Sequence, residues 1–245
     1  MGQTFLSCEQ PTHDNRDMLV HTDFPYGIAF DTLNREAAKL WWNTRGDDWV
    51  RVNIITDALG HVIGSSGTSQ DLTGGADRAL LLALRDIADV VVLGGETVRS
   101  EPLSVPRDKP LIVVSRSANI PDVAIDRAHG GITVLHHSSA SVPEGVTGIV
   151  LPRFTGSAII KAVHSLGHRR IVVEGGLTVI NQLLASGVVT EWCQTVSPIP
   201  GEQSADVVAP TVSGELSLMA HDDSGYRYTR RLVDGAPRKS PRTRS

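Results

Sequence analysis

From Val50 onward, short apolar runs alternate with segments of helical period, and Gly-, Pro- and Ser-rich stretches separate them. The apolar runs predict strands at Val50–Thr56, Val90–Leu93, Leu111–Val114, Ile132–Leu135, Ile171–Val173 and Trp192–Val196, with a weaker one at Gly148–Leu151. Between them, Ala76–Ala88 reads as a helix so apolar on every side that an interior position is expected. Ser157–Leu166 places Ile159, Ala162, Val163 and Leu166 on one helical face. A further helix follows Ile171–Val173 and stops near Gly187, a C′ glycine. Two late strands, Leu216–Ala220 and Tyr226–Val233, flank HDDSG and read as an antiparallel hairpin. Strand–helix alternation of this kind predicts an α/β fold: a mostly parallel sheet flanked by helices on both faces, closed by an antiparallel C-terminal hairpin.

The pattern is weaker at the two ends. Residues 1–49 mix polar stretches with isolated aromatics (Phe24, Tyr26, Phe30, Trp41, Trp42). They read as an extension that wraps over the domain or meets a partner subunit. Residues 50–235 form the domain itself, and 236–245 read as a disordered basic tail.

Composition narrows the function without naming it. The chain has 245 residues, 40% of them hydrophobic, and a formal net charge of −4, which gives no electrostatic case for nucleic acid or a membrane surface. No apolar run approaches the roughly 18 residues a bilayer span requires, and the N-terminus does not read as a secretory signal. Cys8 and Cys193 form no metal or redox motif, a disulfide between them is not expected, and a cytoplasmic location fits. His136–His137 lack ligand-spaced neighbours, so no metal is expected and the pair reads as a strand end meeting solvent.

The chemistry concentrates in two turns of the same grammar, VVLGGETV (Val91–Val98) and VVEGGLTV (Val172–Val179). In each, an apolar strand runs into a glycine pair (Gly94–Gly95, Gly175–Gly176), and Thr97 or Thr178 follows. Glycines let backbone approach a ligand, and a helix starting just after them aims unpaired N–H groups outward, which is a phosphate site. Neither copy is the GxGxxG dinucleotide fingerprint. Ser115-Arg116-Ser117 ends the strand Leu111–Val114, and an arginine among hydroxyls suits a ribose 2′-phosphate, favouring NADPH over NADH. The two turns are expected to line opposite walls of one cleft.

Together with RVNIITDALG, GTSQDLTGGADR, IVVSRS and TVSPIPG, these turns resemble the pyrimidine reductase family of riboflavin biosynthesis, whose fold is dihydrofolate-reductase-like. The resemblance runs from about Val50 to Val233. It implies an NADPH-dependent oxidoreductase acting on 5-amino-6-(5-phosphoribosylamino)uracil, opening the ribose into a ribityl chain, and usually working as a homodimer. By this resemblance Thr97, Gly175, Gly176, Leu177 and Thr178 fall at cofactor positions, with Thr56 or Asp57 beside them, and Glu101 matches a family Asp at the cofactor–substrate junction. Gly94, Gly95, Ser115 and Arg116 join them from the residue reading, while Ser69, Arg85, Leu103, Arg107 and Glu174 fall at substrate positions. This chain departs from the family at Asp57-Ala58-Leu59-Gly60, where Ser-Leu-Asp-Gly is usual, and at Asp71, where the family has an aromatic. No acid–base dyad stands out, so no catalytic side chain is assigned. Two other readings fit the same residues: an NADPH reductase of another pterin-like or carbonyl compound, and a degenerate relative that binds a nucleotide without catalysis.

Overall fold

A computed structural model of the chain describes residues 20–24, 29–30, 39, 46–203 and 207–235. Short β-rich runs and amphipathic helices alternate as expected. The strands are β1 (Val20–Phe24), β2 (Ala29–Phe30), β3 (Trp49–Thr56), β4 (Val90–Gly94), β5 (Leu111–Val114), β6 (Ile132–His136), β7 (Val146–Val150), β8 (Arg170–Val173), β9 (Glu191–Val196), β10 (Gly214–Asp222) and β11 (Arg227–Val233). The helices are α1 (Asp77–Ile87), α2 (Gly95–Ser100), α3 (Asp122–Arg127), α4 (Gly156–Ser165) and α5 (Leu177–Ala185).

The eleven strands of the described residues join one sheet in the order β2-β1-β10-β11-β9-β3-β8-β4-β5-β6-β7. From β9 to β7 every neighbouring pair is parallel; β11, β10, β1 and β2 extend the β9 edge antiparallel. The stretch expected to wrap over the domain therefore contributes two strands in the plane of the sheet. Apart from residue 39, the rest of residues 1–45 lies outside the described residues, as do 204–206 and the tail 236–245.

The two-residue period of the strands sorts the core into two layers. Val91, Leu93, Leu111, Val113 and Val172 meet Leu80, Ala83 and Leu84 of α1 and Ala124 of α3 on one face. Val90, Val92, Ile112, Val114 and Val173 meet Ile159, Ile160 and Val163 of α4 and Val179, Ile180 and Leu183 of α5 on the other. Near-continuous burial of β4 and β5 is what a strand covered on both faces requires.

Several expectations are corrected in detail. Helix α1 is not interior all round: Asp77, Leu80, Ala83 and Leu84 form its buried stripe, Arg78 is exposed, and Leu81 borders a cleft that accommodates its apolar surface. In α4, Ile160 is buried instead of Leu166, which caps the helix and lies 40% exposed before the chain turns at Gly167. His136 is buried, because β7 lies alongside it, and only His137 meets solvent. Gly187 has φ +63°, the left-handed conformation expected of a C′ glycine.

Candidate functional site

The two glycine turns leave the carboxyl ends of adjacent parallel strands, β4 and β8, and touch each other. Gly94 N–H donates to the Gly175 carbonyl at 2.7 Å, and Glu174 N–H donates to the Val92 carbonyl at 3.1 Å. They are neighbours on one wall rather than opposite walls, because their strands pair directly. A Cβ on Gly94 would lie 2.8 Å from the backbone nitrogen of Gly176, and one on Gly95 would lie 2.6 Å from Ser115 Oγ. The first glycine pair thus serves the close fit of turn to turn and of turn to β5. Gly175 has φ +132°, and the Gly175–Gly176 peptide is cis.

Both turns open into a cleft of about 1040 Å³. Its lining includes Gly94, Gly95, Thr97, Glu101, Ser115, Arg116, Gly175, Gly176, Leu177 and Thr178 of the expected cofactor positions, and Ser69, Arg85, Leu103 and Glu174 of the expected substrate positions. α5 begins at Leu177 with no side chain capping it, so its first N–H groups face the cleft mouth beside exposed Thr178. α2 is only six residues long and contributes a weaker dipole. At the end of β5, the Arg116 guanidinium lies over the Phe154 ring at 5.4 Å, an exposed cation held against an aromatic face.

Three expected residues stand outside the lining. Thr56 is fully buried and accepts from Gln194 Nε2 at 2.9 Å. The Asp57 carboxylate is consumed by its own turn, accepting from Leu59 N, His61 N and Gly201 N and pairing with His61 Nδ1 at 2.8 Å. Burial opposes the Asp57 charge, but these hydrogen bonds outweigh it and hold the carboxyl down at about 2. Arg107 points to solvent in a loop, while Arg127 of α3 reaches the cleft and bonds the Val105 carbonyl through Nε at 2.9 Å. Asp71, the other departure, accepts from Ser66 N–H at 2.6 Å and closes a surface loop instead of lining the cleft.

The remaining polar residues are organised in pairs. Arg85 grips Glu174 with two prongs, Nε–Oε1 at 2.8 Å and Nη2–Oε2 at 2.7 Å, and Nη2 also donates to the Ser104 carbonyl at 2.8 Å. Burial works against the Arg85 charge, and the Glu174 carboxylate more than offsets it, so the guanidinium is held above its ordinary value. Glu101 accepts from Ser69 N–H at 2.8 Å and from the Ser69 hydroxyl at 3.1 Å, with the Ser104 hydroxyl at 3.3 Å.

Asp77, unnoticed in the sequence, also lines the cleft and is 7% exposed. Burial pushes its carboxyl up to about 6; the Thr195 hydroxyl offsets part of this and the Glu174 charge adds to it. A carboxylate at a helix start reads as a solvated N-terminal residue, which is why sequence alone did not flag it. Among the described residues, no group of His, Cys, Asp and Glu is placed to hold a metal ion, and no helix is long and apolar enough to cross a membrane.

A mostly parallel sheet with an antiparallel edge and a cleft at its strand ends is the dihydrofolate-reductase-like fold, and solved structures share this architecture. A pyrimidine reductase-like protein from Corynebacterium diphtheriae is 23% identical, with TM-score 0.64 over 82% of this chain and 99% of that one. A diaminohydroxyphosphoribosylaminopyrimidine deaminase/5-amino-6-(5-phosphoribosylamino)uracil reductase from Thermotoga maritima is 17% identical, with TM-score 0.62 over 76% of this chain and 57% of that one. The riboflavin biosynthesis reductase Rib7 of Saccharomyces cerevisiae is 16% identical, with TM-score 0.59 over 82% of this chain and 95% of that one. No curated protein matches the chain by sequence. The model of the RibD C-terminal domain matches residues 48–207, and the chain belongs to that family of riboflavin-pathway reductases.

Proposed function

We propose that the cleft binds NADPH and that the protein reduces 5-amino-6-(5-phosphoribosylamino)uracil. The observation that carries this is the meeting of both glycine turns at one cleft, with Ser115-Arg116-Ser117 on its rim. The residues fit a dinucleotide. The α5 N-terminus and Thr178 offer donors to a diphosphate, Arg116 offers a bidentate cation to a 2′-phosphate, and a Cβ at Gly94 would push the paired turns apart. NADPH, when bound, supplies the hydride.

The chain's own residues bind and orient the substrate. Arg85 and Arg127 offer cations to a sugar phosphate, and Glu174 offers a carboxylate to the N–H groups of a diaminouracil ring. The Arg85–Glu174 pair fixes both side chains before substrate arrives, which lowers the entropy lost on binding. Leu81, Ile54 and Val179 give the cleft apolar walls against which a substrate ring can pack. A cytoplasmic homodimer belongs to the same reading, supported by the family resemblance, and sedimentation tests the dimer.

The experiment follows NADPH oxidation with the deaminated pyrimidine. Turnover is expected with this substrate and NADPH, and weaker turnover with NADH. Turnover of another pterin-like or carbonyl compound alone would replace the substrate. NADPH binding without any turnover would make the chain a non-catalytic relative.

A further inference from the structure

Among the described residues four carboxyl groups line the cleft, and three are engaged. Glu174 is gripped by Arg85, Glu96 pairs with Arg99, and Glu101 accepts from Ser69 and Ser104. Asp77 differs: among the described residues no lysine or arginine reaches it at ion-pair distance, and it is more deeply buried than Glu96 or Glu101. Its place is built from behind. The preceding Ala76 N–H donates to Asp222 Oδ2 at 3.1 Å and to the Tyr228 hydroxyl at 2.8 Å, tying the start of α1 to the β10–β11 hairpin. Asp77 N–H donates to the Gly74 carbonyl at 3.1 Å, so the first turn of α1 is fixed with Asp77 in the cleft lining.

We infer that Asp77 is the proton donor of the reduction, passing its proton to a substrate nitrogen as hydride reaches the adjacent carbon. This rests on the reductase reading above. The C=N bond of the ring-opened imine gains a hydride at carbon, and one dihydronicotinamide is oxidised by giving up that hydride with its two electrons. It gains a proton at nitrogen from the Asp77 carboxyl, which water then restores.

The surroundings keep that proton in place. Glu174 at the end of β8 faces Asp77 with a like charge, and Arg85, on the same helix as Asp77, turns its guanidinium to Glu174 and not to Asp77. Tyr226 and Tyr228 from the hairpin feel the Asp77 charge, and Asp222 of β10 stands behind the helix start. The Thr195 hydroxyl of β9 offsets only part of the effect of burial, and its Oγ1 has no partner at hydrogen-bond distance among the described residues. A carboxyl that titrates near 6 is matched to giving and regaining a proton close to neutrality.

The test uses the full chain and two readouts. Carbon-13 NMR of the ligand-free protein is expected to show the Asp77 carboxyl titrating near 6; a midpoint at the ordinary value of about 3.9 overturns the inference. In single turnovers with NADPH and the deaminated pyrimidine, the wild-type rate is expected to fall as pH rises above that midpoint. Asp77→Asn is expected to lose about 10²- to 10⁴-fold in rate and to lose the pH dependence, while still binding NADPH. An Asn variant with the wild-type rate and pH profile overturns the inference. A wild-type protein inert toward this substrate overturns the substrate reading instead, and the NMR midpoint then decides the standing of Asp77.

Discussion

Arg85 of α1 and Glu174 at the end of β8, 89 residues apart in sequence, form a two-pronged ion pair in the cleft wall. Each was expected to meet substrate separately; the structure makes them one unit. With side chains only 12% and 7% exposed, removing one partner strands the other charge in a poorly solvated site. Glu174→Leu is therefore expected to destabilise the protein by about 3 kcal/mol. The double variant Arg85→Met with Glu174→Leu is expected to lose less than the two single losses summed, by about 0.5–3 kcal/mol. Urea unfolding of the four proteins measures this coupling, and strictly additive losses would contradict it.

Asp77 sets a stability cost that depends on pH. Its carboxyl titrates near 6 in the folded protein against an ordinary 3.8. The folded state therefore holds a proton that the unfolded state has already released between those values. The stability this gives is fully present below 3.8 and is lost as pH rises through 6. Asp77→Asn is expected to be on the order of 2 kcal/mol more stable than wild type at pH 8 and nearly equal at pH 4. Thermal unfolding at the two pH values checks the sign. A variant equally destabilised at both would place the wild-type carboxylate in favourable contacts.

The glycine pairs make a steric prediction. At Gly94 a methyl group would stand 2.8 Å from the backbone nitrogen of Gly176, which cannot swing aside as a flexible side chain could. Gly94→Ala is expected to cost about 1–3 kcal/mol in stability and to weaken dinucleotide binding by separating the turns. Denaturant unfolding combined with a cofactor titration reads both effects. Wild-type values in both would mean that the turns have room to spare.

Arg116 bears on cofactor choice. It is exposed at the end of β5 and rests on Phe154, so little stability depends on it. Arg116→Ala is expected to weaken NADPH binding about 10- to 100-fold, the value of a charge-assisted hydrogen bond, while leaving NADH binding nearly unchanged. Equal losses for the two dinucleotides would separate Arg116 from the 2′-phosphate.

Much of this architecture was legible in the chain. The periodicity of Val90–Leu93, Leu111–Val114 and Ile171–Val173 marked the central strands, because strands covered on both faces must be apolar throughout. The repeated glycine turns marked the cleft. What the pattern could not express was adjacency across the sheet. That β4 and β8 are neighbours depends on crossovers, so the turns were expected on opposite walls and Arg85 and Glu174 were not expected to pair. Asp57 and Arg107 illustrate a second limit. A polar residue in a loop has the same sequence signature whether it binds a ligand, caps a turn or meets solvent, and Asp57 caps its turn while Arg107 meets solvent. Asp77 shows the reverse: its burial is created by the β10–β11 hairpin folding back onto α1, a contact made more than 140 residues along the chain.

Binding of NADPH by the paired glycine turns and the β5 rim underlies the proposed function. Its most direct measurement is an isothermal titration of the full chain with NADPH, and then with NADH. One site per chain is expected, with NADPH bound at least tenfold tighter, in line with one charge-assisted contact to the 2′-phosphate. No heat and no saturable binding with NADPH would contradict the proposal.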